Sequence, residues 1–266
     1  DQFDDDLSQM AQLLLKGDPI GAIDGVLFDK DGTLSHSEPH LLDLAERRIS
    51  AALTLWSETR GTPDPKLHAT LSRAFGVEPG GALHPGGTLA VAARQDNLAS
   101  TATVFCLFGC SWPEGLSMAE RCFNHVDQQA EASGSPSPLL PQADTLLRRG
   151  FDHGLQLAMI SNDTRQGIER FLEHHGLSQL FGGFWSAEDQ PRKPDPQVVH
   201  CLCDRLKLAP ERCALIGDAE TDLTMAREAG IGCVIGYRGG WTLPPELPSA
   251  HHQLDCWDEL TLEATP

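Results

Sequence analysis

An α/β fold is predicted: a parallel-sheet core, split after its first strand by a second domain made of helices alone. Three observations carry this. From Gln142 onward, helical stretches alternate with short apolar runs, the signature of a parallel sheet. One further apolar run, Asp24–Asp29, stands alone near the start. Between the two regions lies an insert of roughly a hundred residues in which helical periodicity is unbroken by any convincing strand, far longer than an ordinary loop.

The elements follow in order. In "EPHLLDLAERRISAALTLWSETR", Leu42, Ala45, Ile49, Leu53 and Trp56 recur at helical spacing, and Pro39 suits a first turn. "DPKLHATLSRAF" reads as a second helix, "TLAVAARQDNLASTATVFCLF" as one or two more after a Gly86-Gly87 loop, and "PEGLSMAERCFNHVDQQAEA" as another opened by Pro113. "SGSPSPLLP", Ser133–Pro141, has linker composition. Beyond it, helix and strand alternate: "QADTLLRRG" with "LQLAMIS", "RQGIERFLEHHG" with "GGFWSA", "DPQVVHCLCDRLK" with "CALIGD", and "ETDLTMAREAG" with "GCVIGY". The expected division is a core of residues 1–35 and 136–266 around an insert of 36–135. The opening "DQFDDD" reads as a frayed tail.

Composition excludes several classes. The formal net charge of −18 opposes nucleic-acid binding and an anionic membrane surface, while leaving room for a locally positive site that takes a small anion. No apolar run approaches the roughly 20 residues of a membrane span. "MAQLLLKG" is too short for a signal peptide and follows acids rather than bases. The eight cysteines form no C-x-x-C knuckles, and Cys201 and Cys203 are only one residue apart, so they read as reduced thiols of a cytoplasmic protein.

Ligands of a parallel α/β sheet bind at the carboxyl ends of its strands. Four such ends carry notable polar residues: Asp29-Lys-Asp31-Gly32-Thr33, Ser161-Asn162-Asp163, Lys193 in "PRKPDP", and Asp218-Ala-Glu-Thr-Asp222. Singly, each has an ordinary explanation as a helix cap, a turn residue or a solvated charge. Their joint occurrence on consecutive strand ends points to one site. Asp29 and Asp31, two apart on an extended segment, face the same side. One carboxylate then serves as nucleophile and its neighbour as general acid and base. A carboxylate approaching a phosphate dianion meets repulsion of about 4 kcal/mol per pair of unit charges at 4 Å and an effective dielectric near 20. Mg2+ held by Asp29 and Asp218, together with Lys193, offsets it. Ser161, Asn162 and backbone N–H groups around Gly32 and Thr33 are candidate donors to phosphate oxygens.

These segments resemble the four motifs of the haloacid dehalogenase superfamily. "DKDGT", "KPDP" and "GDAETD" carry the likeness, and "DGTLSHSEP" resembles members with a helical cap inserted after the first motif. The resemblance implies a Rossmann-like core under a helical cap and a phosphatase in which Asp29 forms an aspartyl-phosphate. It implies that Asp31 protonates the leaving alcohol and then deprotonates water. Asp29 and Asp218 would bind Mg2+ through side chains and Asp31 through its carbonyl, with Asp222 orienting metal-bound water or adding a ligand. Ser161 and Lys193 would hold the phosphoryl group, and Thr33 would fix the first loop. An aspartate at position 31 separates phosphatases and phosphomutases from the dehalogenase branch.

The cap would favour small phosphorylated metabolites, phosphoglycolate among them, with His36, Glu38 and Arg94 as candidate substrate contacts. A phosphomutase of the β-phosphoglucomutase type is the rival reading, separable by an isomerisation assay, and a noncatalytic binding protein is the second rival. Monomer and homodimer both fit the sequence.

Overall fold

A computed structural model describes residues 11–131 and 134–264, with side chains undescribed at 130 and 131. The "DQFDDD" tail and the first residue of the proposed linker therefore lie outside the described residues. The chain divides into two compact units. One gathers the described residues of Asp1–His36, Pro138–Gly240 and Glu246–Pro266; the other comprises Ser37–Ser137 and Trp241–Pro245.

The first unit is built on a six-stranded parallel sheet. In chain order its elements are β3 (Gly25–Phe28), α6 (Ala143–Asp152), β4 (Gln156–Ile160), α7 (Arg165–His174), β5 (Phe181–Trp185), α8 (Gln197–Leu206), β6 (Cys213–Gly217), α9 (Glu220–Glu228), β7 (Cys233–Tyr237) and β8 (His252–Leu254). The strand order is β5-β4-β3-β6-β7-β8, so β3 is flanked by β4 and β6 and the order reverses there. That is where a doubly wound sheet opens a crevice at its carboxyl edge.

Strand alternation builds two cores. Val26, Phe28, Leu157, Met159, Ala214 and Ile216 pack on one face beneath Leu146, Leu147, Ile168 and Phe171 of α6 and α7. Leu27, Ala158, Ile160, Leu215 and Val234 pack on the other face against Val198, Leu202 and Leu223 of α8 and α9. With both faces covered, the strands read as continuous apolar runs, which is why they are visible in the sequence.

A second sheet was not anticipated. β1 (Ala11–Leu15), β2 (Asp18–Ile23) and β9 (Leu260–Ala264) form a three-stranded antiparallel sheet in the order β2-β1-β9. The stretch "MAQLLLKG" thus contains a strand. It returns through a tight turn whose Lys16 and Gly17 both have positive φ, at 52° and 89°, the geometry that joins short antiparallel strands. Leu13, Ile23 and Leu260 pack into the same core as α6 and α7.

The second unit is helical: α1 (Glu38–Arg60), α2 (Pro65–Phe75), the single turn α3 (Thr88–Val91), α4 (Arg94–Leu107) and α5 (Trp112–Glu131). Asp64 caps α2 by accepting the Lys66 N–H, and Gly76 closes it in the left-handed conformation. Ala45, Ile49, Ala52 and Trp56 of α1 join Leu67, Leu71, Phe105 and Phe123 in one apolar cluster. Trp241, from a segment far along the chain, completes it. Among the described residues, no helix is long and apolar enough to cross a membrane.

Glu38 is better explained by this packing than by the substrate contact expected of it. It is 3 % exposed. One carboxylate oxygen accepts the Leu83 N–H at 2.9 Å, and the other accepts the Thr242 N–H at 2.7 Å and its hydroxyl at 2.8 Å. It ties three distant segments of the helical unit together, while its charge suits the start of α1. Glu38→Ala leaves these donors unpaired and is expected to destabilise the helical unit by about 3 kcal/mol, read by urea unfolding.

Arg94 is likewise committed locally. Its Nε donates to Asp127 at 2.7 Å and its terminal nitrogen to Asn124 at 2.9 Å. His36 is exposed, and its backbone N–H donates to the Pro138 carbonyl at 2.8 Å.

Candidate active site

Alternation along β3 aims the first carboxylate. Leu27 faces the α8–α9 layer and Phe28 the α6–α7 layer. Carried past the strand end, Asp29 falls with Leu27 and Lys30 with Phe28. Accordingly, Asp29 Oδ1 lies 2.9 Å from Lys193 Nζ, and Lys30 Nζ sits 5.3 Å from the centre of the Phe171 ring.

Lys193 joins three strand ends. Besides Asp29, its ammonium lies 2.9 Å from Asp222 Oδ1 and donates to the Ile160 carbonyl at 3.4 Å. Burial alone would lower its pKa, but Asp222 and Asp29 outweigh burial and hold it above the usual range. Burial pushes the Asp222 carboxyl up to about 6; Lys193 opposes the rise and the charge of Asp29 adds to it.

Asp218 follows β6 directly and is buried. The Thr33 hydroxyl donates to its Oδ1 at 2.8 Å, and the Trp257 indole N–H donates to the Thr33 carbonyl at 2.9 Å. The Thr33 side chain, at 0 % exposure, is thus turned to Asp218. The backbone donors expected for phosphate are also engaged elsewhere. The Gly32 N–H donates to the Ser35 carbonyl at 3.0 Å and the Thr33 N–H to the Lys30 carbonyl at 3.3 Å. Gly32 has φ of 79°, a conformation that disfavours side chains and permits this turn.

Ser161 is buried at the end of β4, where its N–H donates to the Trp185 carbonyl and its hydroxyl oxygen accepts the Asp163 N–H. That acceptor role leaves the hydroxyl proton directed away from Asp163. Asn162 beside it is half-buried.

The structure thus gathers Asp29, Lys193, Asp218 and Asp222, with Asp31 on the same strand end as Asp29 and Ser161 on the adjoining one. Sequence reasoning missed two parts. Trp257 holds the Thr33 carbonyl, and Lys30 bridges Asp31 and Asp163 at 2.9 and 3.1 Å. A basic residue between two acids was the available signal for the second; nothing local announced the first.

The donors suit magnesium. Asp29, Asp218 and Asp222 each offer a carboxylate oxygen, all within 4.8 Å of one another. An all-oxygen set matches a hard divalent ion. Three such carboxylates beside the Lys193 ammonium leave net negative charge that a dication would offset, whereas a softer metal would find no nitrogen or sulfur in this group.

Comparison with known proteins shows the family. A family model for haloacid dehalogenase-like hydrolases matches residues 23–230, and the chain belongs to that family. It is an enzyme of the hydrolase class. Among curated relatives, the phosphoglycolate phosphatase of Photobacterium profundum is 25% identical over 236 residues, covering 84% of this chain and 88% of that protein. That of Vibrio cholerae is 29% identical over 132 residues, covering 48% of this chain and 58% of that protein. A Haemophilus somnus structure described as a predicted phosphoglycolate phosphatase superposes with a TM-score of 0.58 at 17% identity, covering 87% of this chain and 93% of that one. A Thermotoga maritima structure described as a putative β-phosphoglucomutase gives 0.55 at 18% identity, covering 87% and 94%. At such identities the structural matches establish the fold.

Proposed function

We propose that this chain hydrolyses the phosphate monoester of a small metabolite, with Asp29 as nucleophile and phosphoglycolate as the first substrate to test. The observation that carries the reading is the setting of Asp29. It stands at the carboxyl end of the central strand, against a buried lysine and within reach of two further carboxylates. The relatives named phosphoglycolate phosphatase support the substrate class.

Asp29 attacks phosphorus, and the ester P–O bond breaks as a bond from the Asp29 carboxylate forms. The Asp31 carboxyl gives its proton to the leaving oxygen. Water then attacks the aspartyl-phosphate and passes a proton to Asp31, freeing inorganic phosphate and Asp29. Lys193 holds the Asp29 carboxylate in place and offsets negative charge as the phosphoryl group arrives. Ser161 lies at the adjoining strand end, where its hydroxyl can donate to a phosphoryl oxygen. Magnesium held by Asp29, Asp218 and Asp222 would supply charge neutralisation of the phosphoryl oxygens. The cysteines are free thiols, which suits the reducing cytoplasm.

The test is inorganic phosphate release from a panel of small phosphate esters with and without Mg2+. Release that requires the metal supports the reading; no release from any ester contradicts it. A pH dependence follows. Metal must displace the proton that Asp222 holds below about 6. Magnesium affinity measured by calorimetry is therefore expected to weaken as pH falls from 7.5 to 5.5, and an affinity constant across that range would contradict the assignment of Asp222.

A further inference from the structure

Lys30 has no part in the mechanism above, yet it is placed as if it did. The residue is 6 % exposed, and its ammonium bridges Asp31 Oδ1 and Asp163 Oδ2 above the Phe171 ring. Burial by itself would favour the neutral amine, but the two carboxylates keep the charge on. A solvated surface lysine has no such confinement.

The Asp163 end of the bridge and the Lys30 backbone are each fixed by other contacts. The Asp163 carboxylate accepts the Thr164 N–H at 2.7 Å, and its carbonyl accepts the Ala187 N–H at 2.9 Å, so it is anchored where α7 begins. The Lys30 carbonyl accepts the N–H groups of Thr33, Leu34 and Ser35, which folds the loop bearing Asp31 back on itself. The Lys30 ammonium therefore links a carboxylate anchored at the start of α7 to one on the loop that follows β3. Asp31 retains 29% side-chain exposure, so it stands at the boundary between this buried bridge and solvent.

We propose that Lys30 is the positioning residue of the acid–base carboxylate, holding Asp31 against Asp163 so that it meets the leaving oxygen in one orientation. The inference rests on the phosphatase reading. In it, Lys30 touches neither substrate nor phosphorus and acts only through Asp31. The proton that Asp31 transfers matters most when the departing oxygen is a poor leaving group. An alkoxide must be protonated as its bond to phosphorus breaks, whereas a nitrophenolate leaves without help. Loss of positioning is therefore felt selectively, while a general loosening of the loop harms every ester alike.

The experiment compares wild type, Lys30→Met and Asp163→Asn, each loaded with Mg2+. The substrates are 2-phosphoglycolate, glycerol 2-phosphate, phenyl phosphate and p-nitrophenyl phosphate. The readout is kcat/KM, which covers the steps through departure of the leaving group. Lys30→Met is expected to lose roughly 100-fold on the alkyl esters, the scale of a misplaced catalytic group, and less than about 5-fold on p-nitrophenyl phosphate. Asp163→Asn keeps the Lys30–Asp31 contact but weakens its anchor, and is expected to lose roughly 5-fold on the alkyl esters alone. Equal losses across the series in both variants, or no loss in either, would overturn the positioning role. If Lys30→Met does not fold, the Asp163→Asn series decides. Failure of wild type to hydrolyse any of the esters is a separate result, which would remove the phosphatase reading and this inference with it.

Discussion

Asp29→Asn is expected to abolish phosphate release, lowering kcat/KM by at least about 10^4-fold on every ester, the scale on which loss of a covalent nucleophile is felt. The amide is nearly isosteric, so the fold should persist. Its neutral oxygen still accepts from Lys193, whose Nζ lies 2.9 Å from Asp29 Oδ1, but it no longer attacks phosphorus. The variant also removes one negative charge from the carboxylate group, so magnesium binding weakens. Melting temperature measured without metal should change little or rise, because one carboxylate facing Asp222 is gone. Residual activity within tenfold of wild type would show that another residue attacks phosphorus.

Lys193→Met is expected to be the most destabilising single change in the site. It leaves Asp29 and Asp222 facing each other with no cation between them. Removing one partner from a buried ion group costs about 3–5 kcal/mol. The deficit depends on pH in a definite direction. The Asp222 carboxyl, already raised to about 6 with the lysine present, rises further without it. A carboxyl whose pKa is higher in the folded than in the unfolded state binds more protons when folded. Stability is then favoured at low pH and lost as pH climbs from the ordinary carboxylate value, about 4, through the folded value. Urea unfolding of metal-free Lys193→Met should thus show its largest loss above pH 7 and a smaller one near pH 5. Magnesium should restore part of it by replacing the missing charge. A loss independent of both pH and metal would mean that Lys193 acts through packing.

The strands that carry the site were legible because of where they lie. β3, β4, β6 and β7 are covered on both faces, so each reads as an apolar run that ends abruptly in polar residues. The antiparallel sheet was not legible. Its central strand, "AQLLL", pairs with "LTLEA" across nearly the whole chain, and β2 contains Pro19 and Gly21, which mask its pattern. Trp241 packing into the helical unit is equally non-local.

Within the site, residue types were readable but their partners were not. A threonine after "DKDG" carries no mark that its hydroxyl will be spent on Asp218, because that contact spans 185 positions. Glu38 looked available beside the first motif, yet its acceptor oxygens are taken by backbone donors from residues 83 and 242. Such donors are generic in sequence, and only the fold selects which of them meets a carboxylate.

The central claim is that Asp29 becomes covalently phosphorylated. Its most direct test is acid quenching of the Mg2+-loaded enzyme during turnover of 2-phosphoglycolate or p-nitrophenyl phosphate, followed by peptide mass spectrometry. The account predicts a phosphoryl group on the carboxylate of Asp29, formed within the first turnover and absent from Asp29→Asn. Phosphate release with no label on that peptide, or with the label on a different residue, would contradict it.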